Sequence, residues 1–256
     1  MSMLRALLAN PRLMLASRNV FLLSHMRANT TLFGHILGSS PDIEGYYEMH
    51  ISYYSWKSLW RQKMRHFSDH VPKPTSRMLF DKVLHDGHHV APSLLRAAGT
   101  RTLLMIRAPE QSIKSIVTLY RKTNPTRPEA TTEGATDYYV RRLETLAGIA
   151  EAMPGTYFYL DAEALVGRSD ETLAAITQWL ELSQPLTTEY ELFERSAKGN
   201  SGDNSEALKS GTIQSKTSNY DDILLTTDQL NRAAAAHARC RNIMIQHADR
   251  SITHPH

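Results

Sequence analysis

Four short, nearly continuous apolar runs recur along the chain, each with the length of a strand buried on both faces. They lie at residues 19–24, 77–84, 102–106 and 156–160. Segments with apolar residues three and four positions apart separate and follow these runs, which is the spacing of amphipathic helices. Because strands and helices alternate, the pattern predicts a single α/β domain with a central, mainly parallel sheet flanked by helices and a helical C-terminus.

Four segments frame this predicted organisation. Residues 1–18 are expected to form an N-terminal helix, and residues 19–256 the domain itself. The polar segment 123–136 interrupts the alternation and is a candidate substrate lid. The Ser-, Gly- and Asn-rich segment 197–219 is expected to close over a ligand.

Composition excludes several classes of protein. With 29 basic and 26 acidic side chains, the net charge of +3 does not by itself imply a nucleic-acid partner, and none is predicted. The single cysteine, Cys240, excludes an internal disulfide and a cysteine-based zinc site. No apolar run approaches the ~20 residues that span a bilayer, and we predict a cytoplasmic protein.

The first 41 residues are basic, with four arginines and no acid before Asp42. The apolar stretch at residues 3–8 is cut short by Asn10 and Pro11, so it does not fit a signal peptide. We interpret the segment as a helix packed on the domain. Peripheral contact with an anionic membrane is the alternative.

The five residues 25–29 separate the first predicted strand from its helix, so backbone N–H groups and the positive end of the helix dipole meet there. Arg27 adds a bidentate cation, and Thr30 and Thr31 add hydroxyl groups. This combination predicts a phosphate-type anion site. Asn29 stands where the ATP-binding P-loop has lysine, which argues against a nucleotide kinase.

Two further segments indicate a ligand with two anionic groups. Arg107 follows the third predicted strand, and Ser115 lies in the helix after it. The carboxyl ends of parallel strands share one sheet edge, so this second site should face the first. Lys198 and Gly199 begin the glycine-bearing loop that is expected to cover both.

Taken in order, these segments resemble the sulfotransferases that use 3′-phosphoadenosine-5′-phosphosulfate (PAPS), in particular bacterial branches. Residues 27–32 (R-A-N-T-T-L) resemble the family's R-S-G-T-T-L loop for the 5′-phosphosulfate. Arg107 with Ser115 resembles its 3′-phosphate motif, and residues 198–203 resemble its K-G-x-x-G-D loop. Ala28 replaces the family serine and Asn29 the family glycine, the latter being the least costly replacement where φ is positive.

The resemblance implies a P-loop-like sulfotransferase fold and transfer of a sulfuryl group from PAPS, without a metal, to a hydroxyl of a small molecule, carbohydrate or glycolipid. It assigns cofactor contacts to residues of the three motifs: Arg27, Ala28, Asn29, Thr30, Thr31, Arg107, Ser115, Lys198 and Gly199. Arg27 would stabilise the leaving group, and Lys82 would contact the sulfuryl group. Glu48 is our first choice for the base, with Glu44 and His85 as alternatives.

Two other functions remain open at this stage. A nucleotide kinase would require magnesium. A non-catalytic or membrane-peripheral protein of the same fold would bind the nucleotide without transferring a group. His85, His88 and His89 lack the spacing of a known zinc helix, so no metal site is predicted. The acceptor's identity and the oligomeric state are open.

Overall fold

A computed structural model describes residues 3–193, 206–214 and 219–255. Its centre is one sheet of six strands: β1 (Arg18–Ser24), β2 (Ile43–Glu44), β3 (Met78–Val83), β4 (Thr100–Ile106), β5 (Tyr157–Asp161) and β6 (Arg250–Ile252). All pairings are parallel, in the order β2-β3-β1-β4-β5-β6. The predicted α/β fold with a parallel sheet is confirmed.

The four strands with continuous apolar runs were predicted, and the two edge strands were not. β2 pairs through two residues and β6 through three, so neither is long enough to produce a strand pattern. β6 exists only because residues 250–252 return to β5 after the terminal helix.

Helices cover both faces of the sheet. In chain order they are α1 (Met3–Ala9), α2 (Pro11–Ala16), α3 (Thr30–Ser39), α4 (Trp56–Phe67), α5 (Pro92–Leu95), α6 (Pro109–Thr123), α7 (Thr132–Glu151), α8 (Ala164–Gly167), α9 (Ser169–Leu180), α10 (Glu206–Lys209) and α11 (Thr227–His247). A 3₁₀ turn (Pro128–Ala130) joins α6 to α7.

The alternating side chains of the central strands divide the core into two layers. Phe21 and Leu23 of β1 face the layer that includes α6, α7 and α11, while Val20 and Leu22 face the layer that includes α3 and α9. These four side chains are at most 1% exposed. Burial on both faces explains why the central strands are almost continuously apolar.

The N-terminal segment contains two helices separated by Asn10, whose side chain caps α2 and donates to the Ser76 carbonyl at 2.8 Å. Ala6, Leu13 and Met14 pack with Phe67 of α4 in a small separate cluster. No helix in the described ranges is long and apolar enough to cross a bilayer.

Candidate functional site

The candidate site lies where three strands end side by side. β1 lies between β3 and β4, with Leu23 opposite Val83 and Ser24 opposite Met105. The residues that follow these strands therefore start from one sheet edge. The chain crosses from one side of β1 to the other at this point, which is the position at which open α/β sheets hold ligands.

The loop after β1 has a left-handed backbone at two positions. Arg27 has φ 64° and Asn29 has φ 56°, the region that disfavours most side chains. Asparagine is among the residues that tolerate a left-handed backbone best. Asn29 stands at the position of the family glycine, for which a positive φ was considered from the sequence. The Asn29 amide donates to the Ala162 carbonyl at 3.2 Å and makes no cap to α3. The side chain before the helix therefore does not block its N-terminus.

The two predicted anion-binding segments are in direct contact. Arg27 Nε donates to Ser115 Oγ at 2.8 Å, and an Arg107 guanidinium nitrogen donates to the Arg27 carbonyl at 3.1 Å. Ser112, by contrast, donates to the Ala108 carbonyl of its own helix. The structure thus brings Arg27, Arg107 and Ser115 together, close enough for one ligand to contact all three.

His25 and Tyr139 hold the backbone of Arg107. His25 Nε2 accepts from the Arg107 N–H at 3.0 Å, and Nδ1 lies 2.8 Å from the Met26 carbonyl, so the neutral ring carries its proton on Nδ1. Burial is the main cause that lowers the pKa of His25, to about 3. The Tyr139 hydroxyl donates to the Arg107 carbonyl at 2.6 Å. His25 is therefore an uncharged connector between β1 and β4.

α7 supplies further contacts that sequence reasoning missed. Arg142, 2% exposed, donates from Nε to the Ser24 carbonyl and from a terminal nitrogen to the Val83 carbonyl, at 2.9 and 2.8 Å. Tyr138 accepts from the Met26 N–H and donates to the Leu84 carbonyl. The two side chains are four residues apart and lie on the same face of α7, which is otherwise lined by apolar residues. An arginine and a tyrosine on such a face were the sequence signal for these buried polar contacts.

Lys82 reaches the start of α3 from β3. Its Nζ lies 3.3 Å from Thr31 Oγ1, and the lysine is 4% exposed. Thr30 and Thr31 are also buried. The predicted phosphosulfate loop and the predicted sulfuryl-binding lysine are thus neighbours.

Among the described residues, nothing forms a hydrogen bond with one carboxylate oxygen of Glu48. This side chain is only 11% exposed, the oxygen concerned is the buried Oε1, and His50 Nδ1 lies 3.7 Å from it. His85 is half-buried nearby. Burial lowers the pKa of His85, while the Glu48 carboxylate raises it in part. A carboxylate with an open acceptor position is able to take a proton from a ligand.

Glu44 differs from Glu48 because both of its oxygens are occupied. It accepts from the Lys73 N–H and the Ser76 hydroxyl, each at 2.6 Å, and lies 3.4 Å from His66 Nε2. Burial raises the pKa of Glu44, but the hydrogen bonds outweigh it and the net shift is downward. These contacts give Glu44 a structural role at the edge strand.

Asp81 is a fully buried carboxylate beside Lys82 that sequence reasoning did not single out. It accepts from the Met49 N–H at 2.9 Å and from the Tyr53 hydroxyl. Burial raises its pKa to about 7. Since Met49 follows Glu48, these hydrogen bonds hold the segment that carries the candidate base.

Tyr220 is another side chain at the site that no sequence signal indicated. Its hydroxyl donates to Ser115 Oγ at 3.0 Å, so the chain after residue 219 reaches the Arg27–Ser115 pair. Ala28 is fully buried in the core. Lys198 and Gly199 lie outside the described residues. No cluster of three or more His, Cys, Asp or Glu able to hold a metal occurs in the part of the chain that the structure describes.

The fold is shared with known enzymes, although the sequence is distant from them. No family model matches the chain, and no curated protein matches it in sequence. The sulfotransferase domain of the curacin biosynthetic pathway matches with a TM-score of 0.52 and 16% identity, over 86% of this chain and 97% of that domain. The sulfotransferase domain of the Synechococcus PCC 7002 olefin synthase matches at 0.57 and 17%, over 86% and 94%.

Mouse sulfotransferase SULT7A1, whose structure contains PAP (3′-phosphoadenosine 5′-phosphate), matches with a TM-score of 0.51 and 11% identity, over 94% of this chain and 90% of that one. The six-stranded parallel sheet and its helices agree with these structures. The chain has the sulfotransferase fold.

Proposed function

We propose that this protein is an enzyme that transfers a sulfuryl group from PAPS to a hydroxyl group of an acceptor. The observation that carries the proposal is the contact of Arg27 with both Ser115 and Arg107. It brings two guanidinium groups and an α-helix N-terminus to one sheet edge. A donor with phosphate groups at both its 5′ and 3′ positions fits such a pair of cationic sites.

The cations have different tasks in this proposal. Arg27 and the N-terminus of α3 bind the 5′-phosphosulfate, where negative charge grows on the leaving phosphate during transfer. Arg107 and Ser115 bind the 3′-phosphate. Lys82, beside Thr31, contacts the sulfuryl group. The resemblance assigns Lys198 and Gly199 to the nucleotide as well, and both lie outside the described residues.

Glu48 is the proposed base. Its open carboxylate oxygen would accept the proton of the acceptor hydroxyl as the oxygen attacks sulfur in line with the leaving phosphate. The Glu48 carboxylate raises the pKa of His85 in part, so the two side chains are neighbours, and His85 is the alternative base. Glu44 is disfavoured because its Oε1 already accepts two short hydrogen bonds and its Oε2 lies 3.4 Å from His66 Nε2.

The acceptor is proposed by class only. A hydroxyl of a small molecule is the first candidate. A carbohydrate or glycolipid hydroxyl is compatible with the same chemistry. Residues 124–131, the part of the predicted segment 123–136 that joins α6 to α7, are proposed as the acceptor-side lid. Residues 132–136 begin α7, where Ala135 and Thr136 are buried.

The nucleotide site is tested by calorimetry with PAP. Arg107→Ala should weaken PAP binding by about tenfold to a hundredfold, since a charge-assisted contact is lost. Arg239→Ala removes an exposed guanidinium on α11 and is the matched control, which should bind PAP as the wild type does. Absence of heat with PAP in the wild type would refute the nucleotide site.

The reaction itself needs a separate measurement. Labelled PAPS is incubated with a panel of hydroxylated acceptors, and sulfated product is followed with and without a metal chelator. Product formation that survives the chelator supports sulfuryl transfer. PAP binding without transfer to any acceptor would favour the non-catalytic alternative, and magnesium-dependent phosphoryl transfer from ATP would favour the kinase.

A further inference from the structure

α4 carries an apolar stripe that faces solvent. Trp56, Trp60 and Met64 are spaced four residues apart, so they lie along one side of the helix, and they are 63%, 39% and 59% exposed. Large apolar side chains are normally among the most buried in a protein. Three such side chains along one side of the helix form an apolar surface that the described residues leave exposed.

A basic stripe runs beside the apolar one. Lys57, Arg61 and Arg65 are also four residues apart and exposed, one position after each apolar residue. α4 contains no acidic residue. Asp69 is the single exposed acid within the described residues 3–85. The surface is therefore strongly cationic as well as apolar.

The other sides of α4 are used for packing. Ser58, Gln62 and His66 are buried, and Phe67 packs against the N-terminal helices. The buried Lys63 Nζ donates to the Met14 carbonyl at 2.8 Å. The helix is thus held on the domain by two sides, and its apolar and basic stripes point away from it.

The N-terminal helices continue the same character. Leu8 and Leu15 are 73% and 72% exposed, Arg12 is exposed, and residues 3–16 contain no acid. They reach α4 through Leu13, Met14 and Phe67. An exposed, acid-free, apolar and cationic surface therefore extends over two neighbouring parts of the fold.

We propose that this surface, defined by Trp56, Lys57, Trp60, Arg61, Met64 and Arg65, binds peripherally to an anionic lipid bilayer. An apolar stripe with tryptophan beside a row of Lys and Arg is the pattern of helices that lie in the plane of a membrane. Tryptophan rings sit at the level of the headgroups, and long cationic side chains reach the anionic lipids. An acidic protein partner would use the basic row but gives no reason for the exposed tryptophan and methionine stripe.

This inference does not depend on the proposed sulfuryl transfer, because none of the six residues belongs to the candidate nucleotide site. Lipid binding and PAP binding are separate readouts. The full chain is tested by co-sedimentation with vesicles of phosphatidylcholine, or of phosphatidylcholine with about one-third phosphatidylserine.

We expect binding to the anionic vesicles, weakened by salt, and little binding to phosphatidylcholine alone. The triple variant K57Q/R61Q/R65Q should bind about a hundredfold more weakly, since each cation near the membrane surface contributes about fivefold. K122Q/R239Q/R250Q removes the same charge from exposed positions on other elements and should bind as the wild type does. Thermal melts and PAP titrations of all variants control for folding.

The apolar stripe has its own readout. Two of the three tryptophans, Trp56 and Trp60, lie on the surface, so tryptophan emission should shift to shorter wavelength with anionic vesicles, and W56F/W60F should lose most of that shift. The proposal fails if the wild type does not bind anionic vesicles, or if K57Q/R61Q/R65Q binds them as tightly as K122Q/R239Q/R250Q does. It also fails if the wild type binds poly-glutamate but not lipid.

Discussion

At the scale of single residues, Glu44 and Glu48 show how the fold separates two identical side chains. They are four positions apart, and the sequence offered both as bases. Glu44 accepts hydrogen bonds from Lys73 and Ser76, whereas no residue that the structure describes donates to the buried Oε1 of Glu48. Contacts that come from residues about thirty positions away decide this difference.

The candidate base is tested by Glu48→Gln. The amide keeps the shape but does not accept a proton, so turnover should fall about a hundredfold or more, while PAP affinity stays within about twofold of the wild type. Steady-state kinetics and calorimetry measure the two effects. Glu44→Gln is the matched control and should lower thermal stability more than it lowers turnover. Unchanged turnover in Glu48→Gln would transfer the role to His85.

Asp81 should make stability depend on pH. Burial raises its pKa from 3.8 to about 7, and the neighbouring Glu48 carboxylate adds to the rise, while bonds from Tyr53 and Met49 oppose it. A raised pKa means that the carboxyl stabilises the fold when protonated, and that this contribution is lost as pH rises through about 7.

Asp81→Asn resembles the protonated acid, with its oxygen placed to accept from Met49 and its amide to donate to Tyr53. The melting temperature of the wild type should therefore fall relative to that of the variant as pH goes from 5 to about 8. Parallel melting curves across this range would contradict the assignment. Asp81 positions Glu48 only through the Met49 N–H, so turnover at a fixed pH should fall less in Asp81→Asn than in Glu48→Gln.

At the scale of elements, α7 organises the site although it carries none of the predicted site residues. Tyr138, Tyr139 and Arg142 bind backbone groups at the carboxyl ends of β1, β3 and β4 or just beyond them. Because Lys82 lies near the end of β3, and Arg27 and Arg107 follow β1 and β4, the helix sets the relative positions of these three residues.

Arg142→Ala tests this role. The change leaves the Ser24 and Val83 carbonyls and the Asp86 carboxylate without their donor, so we expect a loss of about 3–5 kcal/mol in the free energy of unfolding. Chemical denaturation measures it. The adjacent Arg141 is 64% exposed, and Arg141→Ala should change stability by less than about 0.5 kcal/mol. Equal losses of stability in the two variants would contradict the proposed role of the Arg142 hydrogen bonds.

At the scale of the whole molecule, α11 and the residues after β6 are bonded to the carboxyl end of β5. Asp161, at the carboxyl end of β5, accepts from Arg241 of α11 on both carboxylate oxygens, at 3.0 and 2.7 Å, and from the His254 N–H at 2.8 Å. Burial would raise the pKa of Asp161, but the bonds from Arg241, Tyr159 and His254 outweigh it and hold the pKa below the usual value. One carboxylate thereby anchors both α11 and β6.

Asp161→Asn should lower the free energy of unfolding at neutral pH by about 2–3 kcal/mol, because the amide does not pair with Arg241. A lowered pKa contributes stability above the unfolded value and loses it as pH falls through the folded one, so the difference from wild type should shrink in acid. Glu171→Gln breaks the exposed pair with Arg168 and should have little effect. A constant difference at all pH values would be inconsistent with this account.

The local pattern of apolar residues was sufficient to predict much of the fold. The four central strands and most of the long helices were predictable because each buries a periodic or continuous set of apolar residues within one short segment. β2 and β6 were not, because two or three residues carry no periodicity. The same holds at the site: Arg27, Thr30 and Arg107 follow apolar runs and were found, while Tyr220 and Asp81 gave no local signal.

The amino-acid sequence alone determined the α/β class, the order of its central elements and the cationic residues that follow the strands, because these depend on spacing along the chain. Only the tertiary structure decided that Arg27 meets Ser115, that Glu44 is engaged while Glu48 is open, and that α4 keeps its tryptophans on the surface. Those outcomes depend on which residues, distant in the sequence, donate hydrogen bonds to a side chain or bury it. The spacing of residues along the chain does not specify these contacts.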